Sequence, residues 1–293
     1  MRNVNRPLDF QQIAPRELSL LTQIKVFFGG AIFQIGAGIF WFGLPFSLVF
    51  VLESEVVHLF QFDGAWIKTE GVLQELEETN SSVNDEPIYR YHFSYNVDGQ
   101  SYQGYSSAVY KPEYNTVNAE KVVPVEYKEQ NIGRARIVGM RQQTFSAWIA
   151  LILLFPLVGA ILYLWGIKAN YKALRLLKIG KVAYGRLLRA TATNTSINEE
   201  TVYQYEFGFE VEGRSYIAKA ETHLTTVLED EEEELILYNE NNPEESLVYD
   251  SISSINKLDI EGNVPKAGIL ALTSTLSTVV GIVITVIVIL VYV

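Results

Sequence analysis

The sequence predicts a membrane protein: α-helical spans joined to all-β modules, with three transmembrane helices and two homologous small antiparallel β-sandwich or open-barrel domains. Three observations predict it. The chain has three long uncharged apolar stretches, residues 71–102 match residues 185–216 without a gap, and each matched copy alternates with period two.

The apolar stretches are residues 26–52, 146–167 and 268–293, and none contains Asp, Glu, Lys, Arg or His. A helix crossing the hydrocarbon layer needs roughly 20 apolar residues, so each stretch reads as one crossing. Residues 1–25 form a polar-containing N-terminal arm with no small-x-small cleavage site after the first stretch, so that stretch reads as a retained anchor and not a cleaved signal. Between the spans lie β-module A at 53–145, a basic juxtamembrane helix at 168–181 and β-module B at 182–267. Cysteine is absent, which removes a disulfide framework, a thiol nucleophile and cysteine metal sites. The net charge of -11 argues against nucleic acid as a partner, since that footprint is basic.

At an offset of 114, 14 of the 32 matched residues are identical, among them Gly71/Gly185, Thr79/Thr193, Asn80/Asn194, Gly99/Gly213 and Tyr102/Tyr216. A match at fixed offset means one structural unit used twice. Tyr89, Tyr91, Phe93, Tyr95 and Val97 alternate with polar residues, as do Tyr203, Tyr205, Phe207, Phe209 and Val211. That pattern is a strand with one buried and one wet face. Asp98-Gly99 and Glu212-Gly213 supply pairs able to take positive φ, so each copy contains a β-hairpin. Flanking strands are expected at 66–76 and 182–189 before the hairpin, then at 121–127 and 234–238, with short last strands near 136–138 and 246–249. Across those later strands the offset falls to 111. The segment holding Asn80-Ser-Ser and Asn194-Thr-Ser is expected to be a loop whose composition reflects turn chemistry.

Trp66-x4-Gly71, then Tyr89-x-Tyr91-x-Phe93-x-Tyr95-x-Val97-Asp98-Gly99-x-x-Tyr102-x-Gly104, then 123–127, resembles the bacterial membrane-anchored domain of unknown function 3592 family, present here as two tandem copies. In the second copy Tyr238-Asn-Glu-Asn-Asn-Pro243 is similar to the family's ending, but Gly180 stands where the tryptophan would be. The first copy keeps Trp66 and lacks the proline after Tyr127. The resemblance implies a β-module tethered by helices and brings no catalytic residues with it.

Charge orients the spans. Arg16 and Lys25 precede the first span, and no Lys or Arg follows it within 15 residues. Lys168, Lys172, Arg175, Lys178 and Lys181 follow the second span, against Arg134, Arg136 and Arg141 before it, and Lys257 and Lys266 precede the third. The positive-inside rule then places the N-terminus and module B in the cytoplasm and module A and the C-terminus outside, and the family resemblance implies a bacterial inner (plasma) membrane; the alternative keeps both modules on one side, with the first stretch re-entrant at Gln34, Gly43 and Pro45.

The candidate functional residues are few. Lys168, Lys172, Arg175, Lys178 and Lys181 lie on a basic helix leaving the membrane, which suits contact with anionic lipid headgroups. Gly29, Gly36 and Gly43 repeat every seven residues, and Ser274, Thr278, Gly281 and Thr285 line one face of the third span. Such small-residue seams let helices approach closely, within this chain, with a second copy or with a protein partner. The histidines His58, His92 and His223 have no metal-ligand spacing, and no triad pattern is present, so no catalytic residue, metal site or cofactor is predicted. The run at 229–234 is acidic but lacks the interleaved spacing of a calcium loop. The reading is a non-enzymatic binding or scaffold component in contact with the lipid bilayer. The alternatives are an accessory subunit of a transport or secretion complex and a membrane-bound enzyme with a cleft on one β-module.

Overall fold

A computed structural model of the chain describes residues 14–59, 61–111, 114, 121–197, 199–222, 228, 232–252, 254–255, 257–258 and 262–292. It contains three helices long and apolar enough to cross a membrane, Ala31–Leu52, Ala147–Ile179 and Ile269–Val291, and two five-stranded antiparallel sheets. The chain divides into two compact units, residues 1–42 with 155–283 (unit 1) and residues 43–154 with 284–293 (unit 2).

Among the described residues there are four α-helices: α1 (Leu20–Phe28), α2 (Ala31–Leu52), α3 (Leu154–Ile179) and α4 (Leu276–Tyr292). The first apolar stretch is therefore not one helix. It breaks at Gly29-Gly30, a pair with weak helix propensity, and side chains from elsewhere satisfy the carbonyls that the break leaves open. Asn170 Nδ2 donates to the Phe27 carbonyl at 2.8 Å, and Gln34 Nε2 donates to that of Phe28. Helix α1 starts at Ser19, whose hydroxyl accepts from Thr22 N–H at 3.1 Å. The crossings of α3 and α4 each begin with a 3-10 turn, at Ala147–Leu153 and Ile269–Thr275.

In unit 1, α2 and α3 run antiparallel and touch backbone to backbone. Gly36 rests on Tyr163, Gly159 on Phe40 and Gly166 on Phe33, and a Cβ at Gly166 would lie 2.5 Å from Phe33 Cα. Helices with ordinary side chains stay about 8–10 Å apart, so these glycines set the close crossing. Helix α4 joins through Gly281, which lies against the Trp41 side chain.

Module A holds β1 (Trp66–Val83), β2 (Glu86–Val97), β3 (Gln100–Val109), β4 (Val122–Lys128) and β5 (Asn131–Ile137) in the order β3-β2-β1-β4-β5. Module B holds β6 (Lys181–Ile197), β7 (Glu200–Val211), β8 (Arg214–Thr222), β9 (Glu234–Asn239) and β10 (Asn242–Val248) in the equivalent order, β8-β7-β6-β9-β10. In each sheet the two edge strands come together, β3 beside β5 and β8 beside β10, which rolls the sheet into a small, partly open barrel. The seam in module A is fastened by Ile137 N–H, which donates to Ser106 Oγ at 2.7 Å.

The aromatic stripes form the barrel interiors, as their alternation predicts: Tyr91, Phe93 and Tyr95 in module A, and Tyr205, Phe207 and Phe209 in module B, are all buried. Burial pushes the Tyr95 phenol up to about 12, and its hydroxyl donates to the Ile132 carbonyl. The tight turns take the left-handed conformation at both residues, with φ 51° and 80° at Asp98-Gly99 and 49° and 76° at Glu212-Gly213. This is the two-residue geometry that matches strand twist.

The segment expected to be a loop before the hairpin is instead a long arm. Strand β1 continues to Val83 and turns back through Asn84 and Asp85, with φ 52° and 65°, into β2. Two register shifts interrupt the β1–β2 pairing, after Leu73 and after Glu78, and two interrupt β6–β7 at the equivalent places, after Leu187 and after Ala192. Across the second shift Thr79 Oγ1 donates to the Ile88 carbonyl at 2.7 Å, and Thr193 Oγ1 to that of Val202 at 2.8 Å. The shared Thr-Asn-x-Ser therefore staples a bulge. Its polar composition has low strand propensity, which is why periodicity reads it as loop.

Candidate functional site

Each arm overhangs a cleft. In unit 1 a cleft of about 680 Å³ lies between the arm of module B and the helices. Its floor is uncharged and largely apolar, with Ile32 and Phe33 from α2 and Ala169 from α3 beside the Asn170 amide, and its roof includes Ile197 and Val202. In unit 2 a cleft of about 600 Å³ lies under the arm of module A, where Glu77 and Arg90 face Val49, Phe50 and Glu53 at the end of α2. Arm position 81 in the first copy and its equivalent 195 in the second line the two clefts.

Their electrostatics differ. Around the unit 2 cleft, Glu77 lies 3.1 Å from His92 Nε2 and 3.8 Å from Arg90 Nη1. The hydrogen bond with His92, with a smaller contribution from Arg90, holds the Glu77 carboxyl below its ordinary value. Thr144 Oγ1 donates to Glu53 Oε2 at 3.2 Å. Around the unit 1 cleft the charged lining side chains, among the described residues, are Glu221 and Asp250, with Lys257 3.8 Å from Asp250. Glu221 accepts from Gln204 Nε2 at 3.1 Å and remains exposed.

The basic residues expected to meet lipid are divided by the fold. Helix α3 continues unbroken to Ile179, and its last turns pack Ala173, Leu176 and Leu177 against Val26, Leu235 and Leu237. Arg175 pairs with Glu245, Lys181 Nζ lies 3.4 Å from Glu240, and Lys178 Nζ donates to Gln23 Oε1 at 2.8 Å. Hydrogen bonding from Asn239, then from Arg175, holds the Glu245 carboxyl below its usual range. Lys172 is half-buried near Glu245, and Lys168 is exposed. Of the seam residues, Gly36 and Gly281 meet Tyr163 and Trp41 of this same chain, and Gly29 lies beside Ser254. Gln34 Nε2 donates to the Ser274 carbonyl at 2.7 Å, and Gly43, Thr278 and Thr285 are buried. His92 sits on the outer face of β2, whereas His223 and positions 229–231 of the acidic run lie outside the described residues.

Sequence reasoning missed four contributors. Gly159 and Gly166 share the seven-residue spacing of Gly29, Gly36 and Gly43, a signal that was available. Asn170 is a lone amide just past the last uncharged stretch of α3, with no pattern to mark it. Arg16 is buried, donating from Nη1 to the Leu177 carbonyl at 3.0 Å and from its backbone N–H to that of Lys178 at 2.7 Å. It thereby occupies the open carbonyls at the end of α3.

No protein-family model matches the chain, and no curated protein matches it either.

Proposed function

We propose that the protein is a non-enzymatic binding or scaffold component of a bacterial inner membrane, presenting one β-module to each side. The observation that carries this reading is the recurrence of an overhung cleft, about 680 Å³ in unit 1 and about 600 Å³ in unit 2, beside the membrane helix of each unit. Recesses of several hundred Å³ are the size at which small ligands bind. The two modules are read as tandem copies of the domain of unknown function 3592 family, supported by the shared hairpin, the aromatic stripes and Trp66. The small-residue seams at Gly36 and Gly281 meet this chain's own helices, so a protein partner would use other faces of the spans.

Charge flanking the spans supports a cytoplasmic module B and an external module A. The native chain lacks cysteine, so single-cysteine labelling tests this directly. Ser106 and Ala220 face the interiors and would report poorly, whereas Gln100 and Arg214 are exposed and equivalent. In intact cells an impermeant thiol reagent should label Gln100→Cys and spare Arg214→Cys until the cells are opened. Equal labelling of both would overturn the two-sided arrangement.

One observation favours a second reading, a membrane-bound enzyme acting at module A. Glu53, Glu77 and Arg90 converge on the unit 2 cleft. Under that reading Glu77→Gln abolishes function in a folded protein, whereas the binding reading has it alter affinity alone.

A further inference from the structure

We propose that the unit 1 cleft holds one bilayer glycerophospholipid with a primary-amine headgroup, its ammonium at Glu221 and its acyl chain along α2 and α3. This rests on reading that cleft as a binding site and names its ligand.

Three features point to a lipid. First, the cleft sits where hydrocarbon gives way to headgroups: Ala31 begins the α2 span, and Lys168, the first charge after the uncharged stretch of α3, directly precedes Ala169. Second, the cleft opens sideways. Ala31, Ile32 and Ala169 line it and are exposed, so its floor is continuous with surface that acyl chains cover. Third, the floor is uncharged and largely apolar while the module side carries the charge, which is the polarity of a lipid entering from the bilayer.

Charge selects the headgroup. The charged residues lining the cleft, among the described residues, are both acidic, and Lys257 pairs with Asp250 at 3.8 Å, which makes Glu221 the acceptor for the headgroup. An anionic headgroup would meet Glu221 unfavourably. A primary ammonium donates charged hydrogen bonds to carboxylates, and a trimethylated one has no proton to donate. The basic residues Arg175, Lys178 and Lys181 are engaged by Glu245, Gln23 and Glu240, and so do not turn the cleft toward anions.

The test is native mass spectrometry of the full chain in mild detergent, incubated separately with dioleoyl phosphatidylethanolamine, phosphatidylcholine and phosphatidylglycerol. One molecule of phosphatidylethanolamine should be retained per chain, about tenfold more strongly than phosphatidylcholine, as a charged hydrogen bond implies. Glu221→Gln, at an exposed position, should bring the two lipids to parity. Ala169→Trp, also exposed, should fill the cleft and reduce retention of all three. Equal retention of ethanolamine and choline lipids by the native chain would overturn the headgroup assignment and leave a cleft that holds acyl chains. Preference for phosphatidylglycerol would overturn it in favour of the exposed Lys168. Retention that Ala169→Trp does not change would remove the cleft itself as a binding site.

Discussion

Modules A and B share strand order, turns and bulges, yet they meet their helices differently. In module A, residues 53–65 separate α2 from β1, and the linker is pinned to the segment before the next span: Phe145 N–H donates to the Glu53 carbonyl and Glu55 N–H to that of Phe145, each at 3.0 Å. In module B, Gly180 alone separates α3 from β6. Its N–H donates to the Leu176 carbonyl at 2.8 Å, and the next residue is already in the sheet. The difference reaches the strand that pairs beside β1 or β6. In β4, Val123 and Val125 are buried on one face, while on the other Val122 and Pro124 are exposed and Glu126 is buried in an ion pair with Arg136; in β9, Glu234, Leu235, Ile236 and Leu237 are all buried. A barrel fused to its helix buries aliphatic side chains on both faces of that strand, and a barrel on a linker buries them on one.

The largest expected effect comes from exchanging a core position where the copies differ in charge. Val123 and Glu234 occupy equivalent places, paired with Gly71 and Gly185. Module B accommodates a buried carboxylate there, and module A has an apolar interior around Val123. Val123→Glu should therefore destabilise module A by roughly 3–5 kcal/mol, read as early proteolysis of residues 53–145 on heating. Unchanged resistance would mean that the two interiors are closer in character than their residues imply.

Next is Leu235, buried in the cluster with Leu176 and Leu177, whose counterpart is the exposed Pro124. Leu235→Ala should cost about 2–4 kcal/mol in denaturant titration, against about 0.5 kcal/mol or less for Pro124→Ala. Similar costs would break the contrast between one-faced and two-faced packing.

Thr79→Val and Thr193→Val probe what the copies share. Each removes one hydroxyl donated across a bulge, so each should cost about 1 kcal/mol, equally in the two modules. Unequal costs would mean that one arm is held by its cleft and not by its staple.

The smallest effect is acid sensitivity. The Glu245 carboxyl is depressed in the folded chain, so its contribution is complete above the unfolded value and is lost as pH falls through the lower folded value. Unit 1 should lose a little stability on acidification below the ordinary carboxylate range, and Glu245→Gln should flatten that dependence in pH-resolved thermal unfolding. Because Glu245 and Arg175 are about a third exposed, solvent keeps the effect small.

Part of the fold is written in local patterns. The alternation from Tyr89 to Val97 marks a half-buried strand, whereas Val122-Val123-Pro124-Val125 and Leu235-Ile236-Leu237 are both continuous apolar runs, so the difference in their burial is not written in their periods. The arms were not legible, because Thr79 and Thr193 act through a carbonyl nine residues away and polar residues carry no strand period. The break at Gly29-Gly30 was hidden for a similar reason. Its stability depends on Asn170, which is 143 residues from Phe27 in the chain and visible only once α3 lies beside α1. The clefts are formed by elements far apart in sequence, so no single segment announces them.

The one-residue junction at Gly180 makes α3 and module B a single lever. Helix α3 is about 39 Å long at 1.5 Å per residue, and its last turns are welded to β9 through Leu176, Leu177, Leu235 and Leu237. Helices answer a change in bilayer thickness by tilting. A tilt of α3 therefore swings the whole of module B through the same angle, turning the thickness of the surrounding membrane into a displacement at the far side of the barrel.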